Sequence, residues 1–171
     1  IIQKAGFWVT CNPAKNSEGG GTIGGEMLGL RKNLTLAKQL QVPDMSRAHG
    51  FFMRCKGMTL FIGVVYLHNG QGLDTSANRE VLEELGSFLR SLNCPYIIYG
   101  DWQNLPEDLA GTGWPEYVHG TVVVASHTTH TCTSGFGRII DFLLVSTTIA
   151  GQITAWLELG VPWGPHRGIG V

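Results

Sequence analysis

A chain of 171 residues, 43% hydrophobic and 15% charged, holds enough apolar material for one well-filled core, so a single domain spanning residues 1–171 is expected and disorder is excluded. The net charge of −1 at pH 7 excludes a general electrostatic attraction to nucleic acid, leaving only a local grip on any polyanion. No apolar run approaches the ~20 residues that a membrane-spanning helix needs.

Residues 6–11 (Gly-Phe-Trp-Val-Thr-Cys) read as a strand that Asn12-Pro13 breaks. Residues 15–21 follow as a glycine-rich loop; with no Gly-Lys-Ser/Thr and no helix after it, this is not a phosphate-cradling P-loop. Residues 24–32 form the next strand, and Arg31 and Lys32 at its end either face a phosphate backbone or are solvated strand-end charges. A weakly amphipathic piece at 34–40, ended by Pro43-Asp44, reads as a connection. Residues 51–56 and 58–67 then give two strands around Gly57. The second is the longest apolar β run of the chain, and the pair is expected in the middle of a sheet. Taken alone, Tyr66 at that strand's end is a half-buried packing residue.

Residues 73–92 carry Val81, Leu82, Leu85, Phe88, Leu89 and Leu92 on one face at helical spacing, with Thr75 or Ser76 to cap the start and Asn93-Cys94-Pro95 to stop it. The helix leads into Tyr96-Ile97-Ile98-Tyr99, a buried strand stopped by Gly100, and this strand-helix-strand unit is expected to cross over right-handed. Asp101 follows at the rim of the sheet, where α/β proteins place ligands. The simpler reading of that one acid is a cap for the helical turn at 106–109.

Between 111 and 134 loops and short strands are expected, with Val122-Val123-Val124-Ala125 the main strand. His119, His127, His130 and Cys132 match no common zinc spacing, and the Thr-rich alternation around them reads as a half-exposed ribbon. The four cysteines, Cys11, Cys55, Cys94 and Cys132, contain no Cys-x-x-Cys pair, which points to a reduced, intracellular protein and leaves any disulfide connectivity open. Residues 138–146 form an apolar strand broken only by Asp141, an acid whose burial is costly unless it has a partner. Residues 149–159 give a last strand, 161–166 a loop and 168–171 a short strand.

Tyr99-Gly100-Asp101-Trp102-Gln103-Asn104, Arg138-Ile139-Ile140-Asp141-Phe142 and Gly164-Pro165-His166-Arg167-Gly168 resemble, in order and spacing, three motifs of the endonuclease/exonuclease/phosphatase superfamily. Tyr66-Leu67-His68-Asn69 resembles its Tyr-x-Pro-Asn stretch, with His68 in place of Pro. The resemblance implies an α/β fold, the four-layer α/β/β/α sandwich, and metal-dependent phosphodiester hydrolysis with Mg²⁺ or Mn²⁺ as cofactor. It assigns Asp101 to the metal and to water activation, His166 to a phosphate oxygen and Asp141 to the His166 imidazole. Tyr66, Asn69 and either Gln103 or Asn104 would contact the substrate phosphate.

Three departures qualify the assignment. Gln103 stands where the family has Asn, Pro165 stands where it has Asp, and its metal-holding Glu has no counterpart ahead of Gly6. The resemblance therefore implies an N-terminally truncated domain, a pseudoenzyme inactive or weakly active by itself, with nucleic acid as the substrate if active. The alternative is a non-catalytic structural or interaction subunit whose open sheet edge is covered by a protein partner.

Overall fold

The computed structural model describes residues 6–13, 15–16, 22–23, 25–32, 35–38, 47–55, 57–159 and 165–171. In chain order the strands β1 (Phe7–Asn12), β2 (Lys15–Asn16), β3 (Thr22–Ile23) and β4 (Glu26–Arg31) come first. Then follow β5 (Thr35–Lys38), β6 (Ala48–Cys55), β7 (Met58–Tyr66), helix α1 (Ser76–Ser91) and β8 (Tyr96–Asp101). Helices α2 (Pro106–Gly111) and α3 (Trp114–Tyr117) lead to β9 (Gly120–Val123). The series ends with β10 (Asp141–Ser146), α4 (Thr147–Ala150), β11 (Trp156–Glu158) and β12 (Gly168–Gly170).

Six strands form the main sheet in the order β5-β6-β7-β8-β10-β9, with β7 and β8 parallel and every other pair antiparallel. Parallel neighbours need a long connection, and α1 supplies it. Because successive side chains of a strand point to opposite faces, the sheet carries two cores. On one face Phe61, Val65, Tyr96, Ile98, Phe142 and Leu144 pack under Val81, Leu82, Leu85 and Leu89 of α1. On the other, Leu60, Ile97, Leu143 and Val145 pack under Ile149, Leu157 and Ile169. With both faces covered, the central strands are apolar at consecutive positions, which is what made them visible in the sequence.

The second face is closed by a further layer of strands. β11 pairs with β12 and β1 with β4, both antiparallel, and the β1–β4 pair lies against β6 and β7. The architecture is a mixed α/β sandwich of two strand layers flanked by helices. No helix among the described residues is long and apolar enough to cross a membrane, and all four cysteines are free thiols.

Several expectations are corrected. Residues 35–38, expected as part of a connection, form β5 on the edge of the main sheet, where pairing with β6 overrides a weak helical pattern. A short helix, α3, stands where only loops and strands were expected, with Pro115 inside its first turn. The strand at 149–159 shrinks to Trp156–Glu158, because residues 147–150 turn into α4 and Gln152 and Ile153 donate back to Ile149 and Ala150. The strand at 138–146 begins only at Asp141: the N–H groups of Ile140 and Asp141 are both taken by the Thr131 hydroxyl, 3.0 and 2.9 Å away. Residues 17–21, 39–46 and 161–164, and with them most of two expected loops and Gly164, lie outside the described residues.

Candidate active site

Three strand ends meet at one rim of the sheet. Tyr66 closes β7 and is the register partner of Asp101, which closes β8; Asp101 is in turn the partner of Asp141, which opens the antiparallel β10. Register partners on adjacent strands point to the same face, so all three side chains emerge on the side covered by the second strand layer. That rim is the carboxyl end of β7 and β8, the expected position for a ligand in an α/β sheet.

His166 arrives from the far end of the chain through a bridge to Cys132, and Cys132 also bridges to Arg138. Thr131, wholly buried, ties this ribbon to the start of β10 through its hydroxyl. The ring is thereby laid on Asp141, with Nδ1 3.1 Å from both carboxylate oxygens. Its Nε2 faces Asp101 Oδ2 at 3.9 Å and Cys132 Sγ at 4.0 Å. The side chains of Asp101 and Asp141 are 16% and 15% exposed and that of His166 33%, so the cluster is sheltered but open toward the imidazole.

The charges follow from these neighbours. The hydrogen bond to Asp141, opposed by burial and helped by the charges of Asp141, Asp101 and Cys132, pushes His166 up to about 9. It is an imidazolium at neutral pH, with Nδ1–H donating to Asp141. Burial, reinforced by the charge of Asp141, pushes Asp101 up to about 6, while His166 and Gln103 pull the other way. Gln103 grips this carboxylate twice, through its N–H to Oδ1 (3.3 Å) and its Nε2 to Oδ2 (2.8 Å). To do so it adopts φ +56°, a left-handed conformation that costs a non-glycine residue roughly 1 kcal/mol or more.

No family model matches the sequence, and no curated protein does. Solved structures do match. The endonuclease domain of TRAS1, a telomere-specific non-LTR retrotransposon, superposes with a TM-score of 0.68 at 11% identity, over 94% of this chain and 78% of that one. The human Nocturnin catalytic domain with bound sulfate gives 0.61 at 16% identity, over 99% and 66%. A Leptotrichia buccalis protein of the endonuclease/exonuclease/phosphatase family gives 0.59 at 8% identity, over 95% and 70%. The chain has the endonuclease/exonuclease/phosphatase fold. At these identities it is the fold that is common ground, and the chain spans about two thirds to four fifths of those chains.

Within the endonuclease/exonuclease/phosphatase sandwich, the residues singled out in the sequence divide into two groups. Asp101, Asp141 and His166 converge, Gln103 is bound to Asp101, and Tyr66 is the next residue across the register. The Tyr66 ring carries the Arg47 guanidinium 5.1 Å from its centroid. Asn69 is exposed on the loop after β7, a loop pinned by the buried Asn78, which accepts from His68 N at 2.7 Å and donates to Gly72 O at 3.1 Å. Asn104 turns away from the cluster. It donates to Trp102 O at 3.0 Å and lines a separate cavity of about 590 Å³ with Leu73, Leu82, Asp108 and Trp114 on the helix-covered side. Of the histidines outside the cluster, His130 accepts from the Arg167 guanidinium at 2.9 Å through Nε2.

Among the described residues Asp101, Asp141 and His166 are the one group with metal-ligand geometry, their donor atoms all within 4.8 Å of one another. The two carboxylates fit a hard cation such as Mg²⁺ or Mn²⁺, whose charge would offset both the burial and the Asp141 repulsion that raise Asp101. The imidazole fits less well: its Nδ1 is taken by Asp141, and the ring is protonated at neutral pH. Sequence reasoning missed Thr131 and Asn78, and it read Cys132 as part of a half-exposed ribbon, whereas Cys132 is buried and bridges to His166. The Thr-rich alternation marked the ribbon, but nothing in the sequence said that one hydroxyl would serve two backbone N–H groups.

Proposed function

We propose that the chain is a divalent-metal-dependent phosphodiesterase domain acting on nucleic acid, with Asp101, Asp141 and His166 as its catalytic residues. The observation that supports this is the convergence of two sheltered carboxylates and an imidazolium, from three separate segments, at one end of β7 and β8. A Mg²⁺ or Mn²⁺ held at Asp101 and Asp141 would polarise a phosphoryl oxygen. Asp141 fixes the ring through Nδ1–H, which leaves the charged Nε2–H of His166 to donate to a phosphoryl oxygen as negative charge grows there. Asp101, ionised above about 6, accepts a proton from the attacking water while Gln103 holds its carboxylate still. Tyr66 and Asn69 contact the substrate phosphate from the adjacent strand end and loop.

Turnover by this chain alone is expected to be slow. Among the described residues no glutamate joins the cluster, and a hard cation held by two carboxylates, one of them already engaged by an imidazolium, binds weakly. The decisive test is cleavage of a labelled oligonucleotide across a Mg²⁺ and Mn²⁺ titration, where slow metal-dependent cleavage lost in His166→Ala and in Asp101→Ala is the expected result. Absence of cleavage together with a thermal midpoint indifferent to either metal would reject the proposal. The second reading, an interaction subunit that keeps the fold without the chemistry, draws on the engagement of the Gln103 amide by Asp101, which leaves it turned from any phosphate.

A further inference from the structure

The row of side chains at the catalytic rim runs one strand further than the cluster itself. β6 and β7 pair with Ala48 opposite Val65, and the Tyr66 N–H donates to Arg47 O at 3.0 Å, so the same register sets Arg47 opposite Tyr66. Tyr66 is opposite Asp101, and Asp101 opposite Asp141. Arg47, Tyr66, Asp101 and Asp141 therefore stand in one line across neighbouring strands, and positions so aligned share a face. The half-buried Arg47 is the cation of that line. Its guanidinium turns toward β7, where Nη1 donates to Tyr66 O at 3.2 Å and Cζ stands 5.1 Å from the Tyr66 ring centroid. Neither contact neutralises it: a carbonyl engages one of its N–H donors, an aromatic face engages its charge only weakly, and among the described residues no carboxylate pairs with it. The charge is felt close by. Burial first, and Arg47 next, push the His68 imidazole below its ordinary value, with Glu80 acting the other way. An arginine braced by a ring and a carbonyl, in place of an acid, keeps its remaining donors for an anion from outside.

Neighbouring strands stand ~4.8 Å apart, and the guanidinium, bonded to Tyr66 O, lies between β6 and β7, so it is one to two spacings, ~5–10 Å, from the Asp101 strand. One step of a nucleic-acid backbone covers that interval, from a phosphodiester at the cluster to the next phosphate of the same strand. The net charge of −1 gives a polyanion no general attraction, which leaves the grip to local cations of this kind, and a guanidinium fork suits two oxygens of one phosphate. We infer that Arg47 binds the phosphate adjacent to the one cleaved, on the β6 side of Asp101, Asp141 and His166, so that the substrate backbone passes across Tyr66. The inference rests on the phosphodiester reading above. It narrows the substrate class to a chain of consecutive phosphodiesters, because a compound with a single phosphate leaves Arg47 without its anion.

The test varies the phosphate and the arginine together. Single-stranded oligonucleotides carry one methylphosphonate, which removes one backbone charge, at successive positions around the bond that is cut, and slow Mn²⁺-dependent cleavage is followed in the parent and in Arg47→Ala. At one flanking position the methylphosphonate is expected to lower the parent's kcat/KM roughly ten- to a hundredfold; Arg47→Ala lowers it as much on the all-phosphate strand, and the two losses do not add. An arginine that merely braces Tyr66 gives additive losses at every position, which overturns the inference. So does a parent indifferent to the methylphosphonate at every flanking position, a measurement that needs no variant to fold. Equilibrium binding of the all-phosphate strand, with chelator present so that nothing is cut, reads the same contact without chemistry. In Arg47→Ala and Arg47→Gln the slope of log affinity against log salt concentration is expected to shrink by ~0.7, while Arg47→Lys keeps the parent's slope. A smaller slope without cleavage by any of the proteins keeps Arg47 as a phosphate ligand and removes the phosphodiesterase reading; cleavage with the parent's slope in both variants does the reverse. No saturable oligonucleotide binding at all also overturns the inference.

Discussion

Asp101 must be ionised to accept a proton and His166 protonated to donate one, so the proposed reaction is confined between their two pKa values. With Asp101 pushed up to about 6 and His166 up to about 9 in the metal-free site, turnover is expected to rise through the first and fall through the second in a pH–rate profile at limiting metal, where the cation must first displace the Asp101 proton. The Gln103 side-chain hydrogen bond favours the ionised Asp101, so Gln103→Ala, which keeps the backbone N–H bond and loses the Nε2 one, is expected to move the acid limb to higher pH; a limb that stays put would mean that the side-chain grip on the carboxylate is incidental. At the other end, Asp141→Asn removes the hydrogen bond that most raises His166. The imidazole should then titrate near its ordinary 6.5 in a proton NMR titration, and the rate at neutral pH should fall about a hundredfold. Stability follows the same group. A histidine whose folded pKa is raised contributes fully below its unfolded pKa and loses the contribution as pH climbs through the folded value. Asp141→Asn should therefore cost roughly 1–2 kcal/mol below pH ~6.5, after discounting for solvent at a ring one third exposed, and little above ~9, as urea denaturation at the two ends would report.

The end of β8 shows how one element fixes the site. Gly100 faces Trp102, so that a Cβ there would run into the indole, and Trp102 is fully buried with its Nε1 donating to Phe142 O at 3.0 Å and its ring stacked on Phe142 at 5.4 Å. Gly100→Ala is expected to cost on the order of 1–3 kcal/mol in chemical denaturation and to weaken catalysis further, because Asp101 sits between the two displaced residues. In the Thr131–Arg138 ribbon, Thr131→Val would strip two N–H groups of their common acceptor at a cost of similar size. Elements of this kind were unequally legible in the sequence. β7, β8 and α1 were readable because two-sided burial and helical spacing leave strong periodic signals. β5, α3 and α4 were not, since each is four residues long and exists through neighbours far away in the chain. Asp101, Asp141 and His166 could be named because their motifs carry them, whereas Thr131, Cys132 and Asn78 act through positions that only the fold brings together.

Taken as a molecule, the domain stores a cost at its rim that a cation can relieve, and this yields a prediction of opposite sign from ordinary core mutations. An acid whose folded pKa is raised, from 3.8 to about 6, destabilises the fold when ionised: between those values the native state holds more protons than the unfolded chain, so stability falls as pH rises through that window and stays lowered above it. Asn mimics the protonated acid. Asp101→Asn is therefore expected to be more stable than the parent at neutral pH, by roughly 1–3 kcal/mol, and no different near pH ~3.5 where both are uncharged at this position. Millimolar Mg²⁺ or Mn²⁺ acts on the same account from the other side. Binding only the folded chain raises the parent's thermal midpoint as concentration passes the dissociation constant, and the rise should vanish in Asp101→Asn because the carboxylate that drew the cation is gone. A catalytic acid kept ionised against its surroundings makes the variant tougher and chemically silent at once, whereas a merely structural Asp101 would make it weaker. Scanning calorimetry on the two proteins, with and without metal and at the two pH values, distinguishes these outcomes: an Asp101→Asn chain less stable at neutral pH would show that the rim carboxylate braces the fold and holds no site.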